Sequence, residues 1–192
     1  MTGFLALRLL AVALLASPLT FAPAQTPVAQ ATNRDAQTLA DFQTRVKNYM
    51  ALRQKAMAGR PALPDKATPE QIEAYQTAIG QLVMAARKGA RRGEVFGADM
   101  TVMIRRLLAP IFKGPDGAAI RSAILEEPHP VVPAVNTRYP DDVPVSSMPP
   151  EILKALPKLD ESMEYRFIGR HLILMDVPAH LIVDVVDNAM PS

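Results

Sequence analysis

Four residues near the C-terminal end carry the kinds of side chain that hold metal ions in proteins. These are His171, Asp176, His180 and Asp184, which place two imidazoles and two carboxylates within 14 residues. Such nitrogen and oxygen donors bind Zn²⁺ and related cations. His180 and Asp184 would share a face if this stretch were helical, whereas on a hairpin such residues usually lie on the solvated side and need no ligand. A periplasmic metal-binding or metal-responsive protein is therefore one hypothesis.

A cluster of basic side chains offers a different kind of site at the end of the second predicted helix and on the third. It comprises Arg87, Lys88, Arg91, Arg92, Arg105 and Arg106. Because the helix dipole favours cations near a helix C-terminus, a purely structural role is one interpretation. The functional interpretation is an anionic partner, such as an acidic protein face, lipid headgroups or a cell-wall polymer. The chain's own acidic tail is a further candidate, whereas nucleic acid is not expected because no aromatic residues for base stacking accompany the cluster.

The sequence contains no recognisable catalytic motif. None of its serines lies in a Gly-x-Ser-x-Gly or Ser-x-x-Lys motif, and it has no cysteine. Two pairs of adjacent carboxylates occur, at 126–127 and 141–142, but neighbouring residues on an extended chain point to opposite sides and do not converge on one bond. We therefore expect a non-enzymatic protein without a cofactor.

The first 24 residues have the features of a secretory signal peptide. Arg8 precedes an apolar core over residues 9–16, which Pro18 ends. This core is shorter than the roughly 20 apolar residues that span a bilayer, although an uncleaved membrane anchor is the alternative. Small residues at Ala22 and Ala24 fit a cleavage site, and we place the cut after Ala24. The mature protein is thus predicted to be periplasmic or secreted and not an integral membrane protein.

Apolar periodicity predicts an all-helical region over residues 33–125, preceded by a flexible tether at 25–32. Thr68 and Gln71 form the pattern of a capping box at the start of one of its helices. The first predicted helix covers about residues 34–57, and the second runs from Thr68 to a stop at Gly93 and packs antiparallel to the first. The third is capped by Asp99 and ended by Pro110. The fourth runs from Asp116 to about Leu125.

A proline-rich segment over residues 126–150 follows these helices. Seven of the 23 residues from Pro128 to Pro150 are proline, which excludes regular helix and central strand. Its valines make it too apolar for a disordered linker, so we predict an ordered, extended strap lying across the helices. A short helix from about Pro150 to Leu156 should come next.

Residues 151–192 end in a stretch with the two-residue period of β-strands. Alternation over 163–168, a turn at Gly169-Arg170 and a return over 171–175 predict a β-hairpin. A third strand is predicted from His180 to Val186 because of its β-branched residues, with a terminal helix as the alternative.

The same stretch carries a resemblance. The runs Tyr165-Arg166-Phe167-Ile168-Gly169-Arg170, Leu172-Ile173-Leu174-Met175-Asp176 and Leu181-Ile182-Val183-Asp184, with Tyr139-Pro140 and Met148-Pro149-Pro150 before them, are the residues concerned. Over about residues 139–187 the chain resembles the C-terminal end of an uncharacterised family of short exported bacterial proteins. The resemblance implies export but no particular activity.

Together these patterns predict one α+β domain. It consists of an antiparallel helical layer, a proline-rich extended strap and a small C-terminal antiparallel β-hairpin or meander. The favoured function is a non-enzymatic exported envelope protein that binds a protein or an anionic envelope partner through the basic cluster. The metal-binding protein described above is the alternative.

Overall fold

The structure is a computed structural model that describes residues 27–126, 132–139 and 148–191. Within these residues, five helices accompany one four-stranded antiparallel sheet, which confirms the α+β prediction. The elements are α1 (Pro27–Ala56), α2 (Pro69–Ala86), α3 (Gly97–Lys113), α4 (Gly117–Leu125), β1 (Thr137–Arg138), α5 (Pro150–Ala155), β2 (Met163–Ile168), β3 (His171–Asp176) and β4 (Leu181–Val186). The predicted signal peptide and residues 127–131 and 140–147 of the predicted strap lie outside the described residues.

Helix α1 is longer than the sequence pattern predicted. It begins at Pro27 instead of near residue 34, so the flexible tether is wrong for residues 27–32. Proline is well suited to the first turn of a helix because its missing N–H would have no partner there. Phe42, Val46 and Tyr49 recur at helical spacing along one face of α1, and all three lie in the core.

Helix α2 starts as predicted and ends earlier. The side chain of Thr68 accepts a hydrogen bond from the backbone of Gln71, and the reciprocal bond completes the capping box. The helix stops at Ala86, seven residues before Gly93, where Arg87 leaves the helical path. The loop that follows connects α2 to α3. It turns at glycines with positive φ, including Gly89 and Gly93.

Helix α3 corrects two predictions. Asp99 lies inside its first turn and makes no capping bond, and Pro110 lies within the helix instead of ending it. Proline removes one backbone donor, but the helix continues because the turn beyond it buries Phe112 in the core. Gly114 ends the helix, and α4 and α5 occupy the predicted positions.

The sheet has the strand order β1-β4-β3-β2. Strands β2 and β3 pair from Met163↔Asp176 to Ile168↔His171, which confirms the predicted hairpin, and β4 confirms the third strand. The β3–β4 pairing shifts register between Leu174 and Met175. Such a bulge places one extra residue on one strand and changes which face the next side chains occupy.

Both faces of the sheet are buried. The helices cover one face, while Val135 and Tyr139 pack with Ile173, Met175 and Ile182 on the other. The described part of the strap, residues 132–139, therefore lies against the sheet and adds β1 to its edge. It also contacts a helix, as predicted, because Asn136 and Arg138 donate hydrogen bonds to α2 and its C-terminal end.

Candidate functional site

Asp184 is fully buried and holds the loop that leads into α3. Its two carboxylate oxygens accept hydrogen bonds at 2.8 Å from the backbone N–H groups of Gly93, Val95 and Phe96. A fourth bond comes from the N–H of Val185. The first three N–H groups belong to the loop before Gly97, the first residue of α3, so the carboxylate satisfies backbone donors that would otherwise have no partner in the protein. Asp184 thus fixes, from a distant strand, the loop that precedes α3, and the capping role predicted for Asp99 is not filled by either aspartate.

Asp176 is also fully buried, at the end of β3. It accepts hydrogen bonds from the Tyr49 hydroxyl at 2.6 Å and from Arg53 at 2.9 Å, both on α1, and from the N–H of Ala179. Burial, followed by the neighbouring Asp176 charge, raises the pKa of Tyr49 well above its ordinary value, so the phenol remains a donor. These bonds fasten α1 to the sheet.

The two histidines have other partners. Nδ1 of His171 lies 2.8 Å from the carboxylate of Asp187, and the ring of His180 stacks on Tyr139 at the left-handed residue before β4. Among the described residues, no three His, Asp or Glu side chains are close enough to hold a metal ion. The structure therefore does not assemble His171, Asp176, His180 and Asp184 into a metal site, because both aspartates are already bound to protein donors.

Arg87 was predicted to bind a partner at the surface, but its side chain is only 1 % exposed. It donates to the carbonyl of Val183 and lies 5.1 Å above the ring of Tyr49, in the geometry of a cation–π contact. The carboxylate of Glu94 is 3.6 Å away. The partner-binding prediction is wrong for Arg87, which joins the end of α2 to β4.

The remaining basic residues are exposed, and three of them contact acidic or carbonyl groups of this chain. Arg92 pairs with Asp187, and Arg105 donates to the backbone carbonyl of Asp187. Arg106 pairs with Asp35 on α1 at 2.6 Å. The alternative that the cluster attracts the chain's own acidic tail therefore fits these contacts. Lys88 and Arg91 lie exposed beside them.

An open apolar groove, which sequence reasoning missed, runs along the second half of α1. Its volume is about 850 Å³, and the loop at Lys158, Leu159 and Asp160 forms its other wall. Met50 and Met57 line it together with the edges of two buried core residues, Phe42 and Val46. The sequence offered one signal: Met50 and Met57 are seven residues apart beside the apolar stripe of α1.

The polar residues of this α1 groove have an uneven charge. Lys47 and Lys158 are exposed at its edge, while Arg53 is paired with the buried Asp176. Asp160 is the acidic residue of the lining, and its carboxylate accepts hydrogen bonds from the hydroxyl and the backbone N–H of Ser162. These bonds lower the pKa of Asp160, so it stays ionised. Two lysines therefore face one aspartate.

Comparisons with known proteins do not add a function. A scan against protein-family models, a search of curated proteins and a search of solved structures each found no match. Within the described residues, none of the helices has the length and apolar character needed to cross a membrane.

Proposed function

We propose that this chain is a non-enzymatic protein of the bacterial envelope that binds another envelope component through the α1 groove. The observation that carries the proposal is the groove itself, an opening of about 850 Å³ with apolar walls and an excess of positive charge at its edge. A mostly apolar cleft with a few polar groups at its edge is the usual form of a binding site in proteins.

The bonding of the polar residues supports a binding role over catalysis. The carboxylate oxygens of Asp176 and Asp184 accept hydrogen bonds from groups within the protein, and Arg87 is buried against Tyr49. These groups stabilise the fold and hold α1 in place. The α1 groove therefore replaces the basic cluster as the proposed binding surface.

Export is the second part of the proposal and rests on the sequence of residues 1–24. Cleavage after Ala24 would release a periplasmic or secreted protein that starts at Gln25. Expression of the full chain in a bacterial host, followed by cell fractionation and N-terminal sequencing, tests this. A cytoplasmic product that retains Met1 would contradict it.

Site-specific photo-crosslinking in intact cells tests the groove. A photoreactive amino acid replaces Gln54, which is exposed in the groove, and in a second strain it replaces Leu125, which is 49 % exposed on α4 outside it. We expect a discrete crosslinked product from position 54 that disappears when Met50→Glu is added, and none from position 125. Equal products from both positions, or none from position 54, would refute binding at the groove.

A further inference from the structure

We infer that the α1 groove takes an amphipathic helix of a partner protein that carries acidic residues beside its apolar face. This inference rests on the proposed function and names the chemistry of the partner. It follows from the shape of the groove, from the backbone groups of its walls and from its charge.

The length and openness of the groove suit a rod-shaped partner. The helical wall from Phe42 to Ala56 is roughly 20 Å long at about 1.5 Å per residue. The groove is open along one side, whereas sites for small ligands enclose most of the ligand surface. A helix of about four turns matches this length and can keep its polar face in water.

The walls favour a helix over an extended peptide. A strand binds well when it pairs its backbone with a free sheet edge. The main wall here is α1, whose backbone N–H and C=O groups are already bonded within the helix. An extended peptide would leave its own backbone groups unpaired against apolar side chains, whereas a helix satisfies them internally.

The apolar lining suits helix side chains. Met50 and Met57 are partly buried and lie two helical turns apart. Methionine has a flexible, polarisable side chain and adapts to different apolar partners. Partner residues at i, i+3 or i+4, and i+7 would reach this line of contacts.

The positive charge at the edge of the groove favours a partner helix with acidic residues beside its apolar face. Among the described residues, no carboxylate forms an ion pair with Lys47 or Lys158. Asp160 is the acidic residue in the lining, so a partner with glutamates beside its apolar face gains two attractive contacts against one repulsive contact. A partner helix with lysines at those positions would make two repulsive contacts and one attractive contact.

A pair of synthetic peptides tests the inference on the protein purified after expression of the full chain. Each peptide has about 14 residues with leucines at helical spacing. Glutamates flank the leucines in one peptide, and lysines replace those glutamates in the other. We expect the glutamate peptide to bind at least about threefold more tightly, as two exposed ion pairs imply.

Charge reversal provides the decisive comparison. The Lys47→Glu/Lys158→Glu variant should prefer the lysine peptide, while the matched control Lys88→Glu/Lys113→Glu, changed at exposed lysines outside the groove, should keep the original preference. Met50→Glu should weaken both peptides by at least about tenfold because it places an unpaired charge against apolar surface. Ala51→Gln, at an exposed groove position, provides a second blocking variant if Met50→Glu fails to fold.

Other outcomes would overturn the inference. The inference of an acidic partner helix would be refuted if the two peptides bound the wild-type protein equally well. It would also be refuted if both double variants showed the same change in peptide preference. If groove crosslinking in cells still succeeds in that case, the proposed function stands and only the partner chemistry is wrong. Self-association blocked by Met50→Glu would identify a second copy as the occupant. Binding to phosphatidylglycerol vesicles, lost in Met50→Glu without any peptide binding, would identify lipid.

Discussion

Replacing Asp184 with asparagine tests whether a buried carboxylate organises the loop that precedes α3. Its oxygens divide four N–H groups into two pairs: one oxygen serves Gly93 and Val185, and the other serves Val95 and Phe96, all at 2.8 Å. Asparagine keeps one acceptor oxygen and turns an N–H₂ donor toward the other pair. Two buried donors lose their partner, at about 1–3 kcal/mol each.

We therefore expect Asp184→Asn to lower the free energy of unfolding by about 3–4 kcal/mol, a large part of the stability of an ordinary domain. Urea unfolding followed by circular dichroism measures this loss. Asp187→Asn is the control, because Asp187 is 44 % exposed and its contacts with Arg92 and His171 are worth at most about 1 kcal/mol. A loss below about 1 kcal/mol in Asp184→Asn would refute the argument.

Three further substitutions test how the helices are held, each measured by urea unfolding. Gly80→Ala should destabilise the protein because the new Cβ would lie 2.8 Å from the carbonyl oxygen of Ala179. Helix propensity alone predicts the opposite, a gain in stability of up to about 1 kcal/mol, so a more stable variant would contradict this packing. Tyr49→Phe should cost about 2 kcal/mol by removing a donor from the buried Asp176, and an unchanged midpoint would argue against that bond. Thr68→Ala should cost about 1 kcal/mol through loss of the cap, so a neutral result would discount the capping box.

Local signals in the sequence were sufficient where a structure depends on neighbouring residues. The capping box of α2 and the turn between β2 and β3 involve contacts only a few residues apart, and both were predicted correctly. The β-branched residues of β4 likewise indicated a strand. Fold class followed from the order of these elements.

Contacts between distant residues could not be predicted in the same way. Alternation suggested that Asp176 and Asp184 lie on a wet face, but residues 132–139 cover one side of the sheet and the helices cover the other. A pattern of period two does not reveal that both faces are buried. The partners of Asp184 are about 90 positions away in the chain, so no local signal indicates them.

The α1 groove is hidden for a similar reason. One wall is α1, and the other is the loop around Leu159, about 100 residues later. Neither wall by itself indicates in the sequence that the two lie side by side. The same holds for the basic cluster, because the sequence does not reveal that Arg87 packs against the ring of Tyr49 or that Arg106 pairs with Asp35.

Methyl NMR of the protein labelled at its methionines tests the central claim most directly, because the core provides internal controls. Met50 and Met57 line the α1 groove, whereas Met100, Met103 and Met190 are buried away from its lining. On titration with the glutamate-flanked peptide, we predict saturable shifts of the Met50 and Met57 signals and nearly constant signals from the three core methionines. Unchanged Met50 and Met57 signals, or equal shifts of all five, would contradict the groove as the binding site.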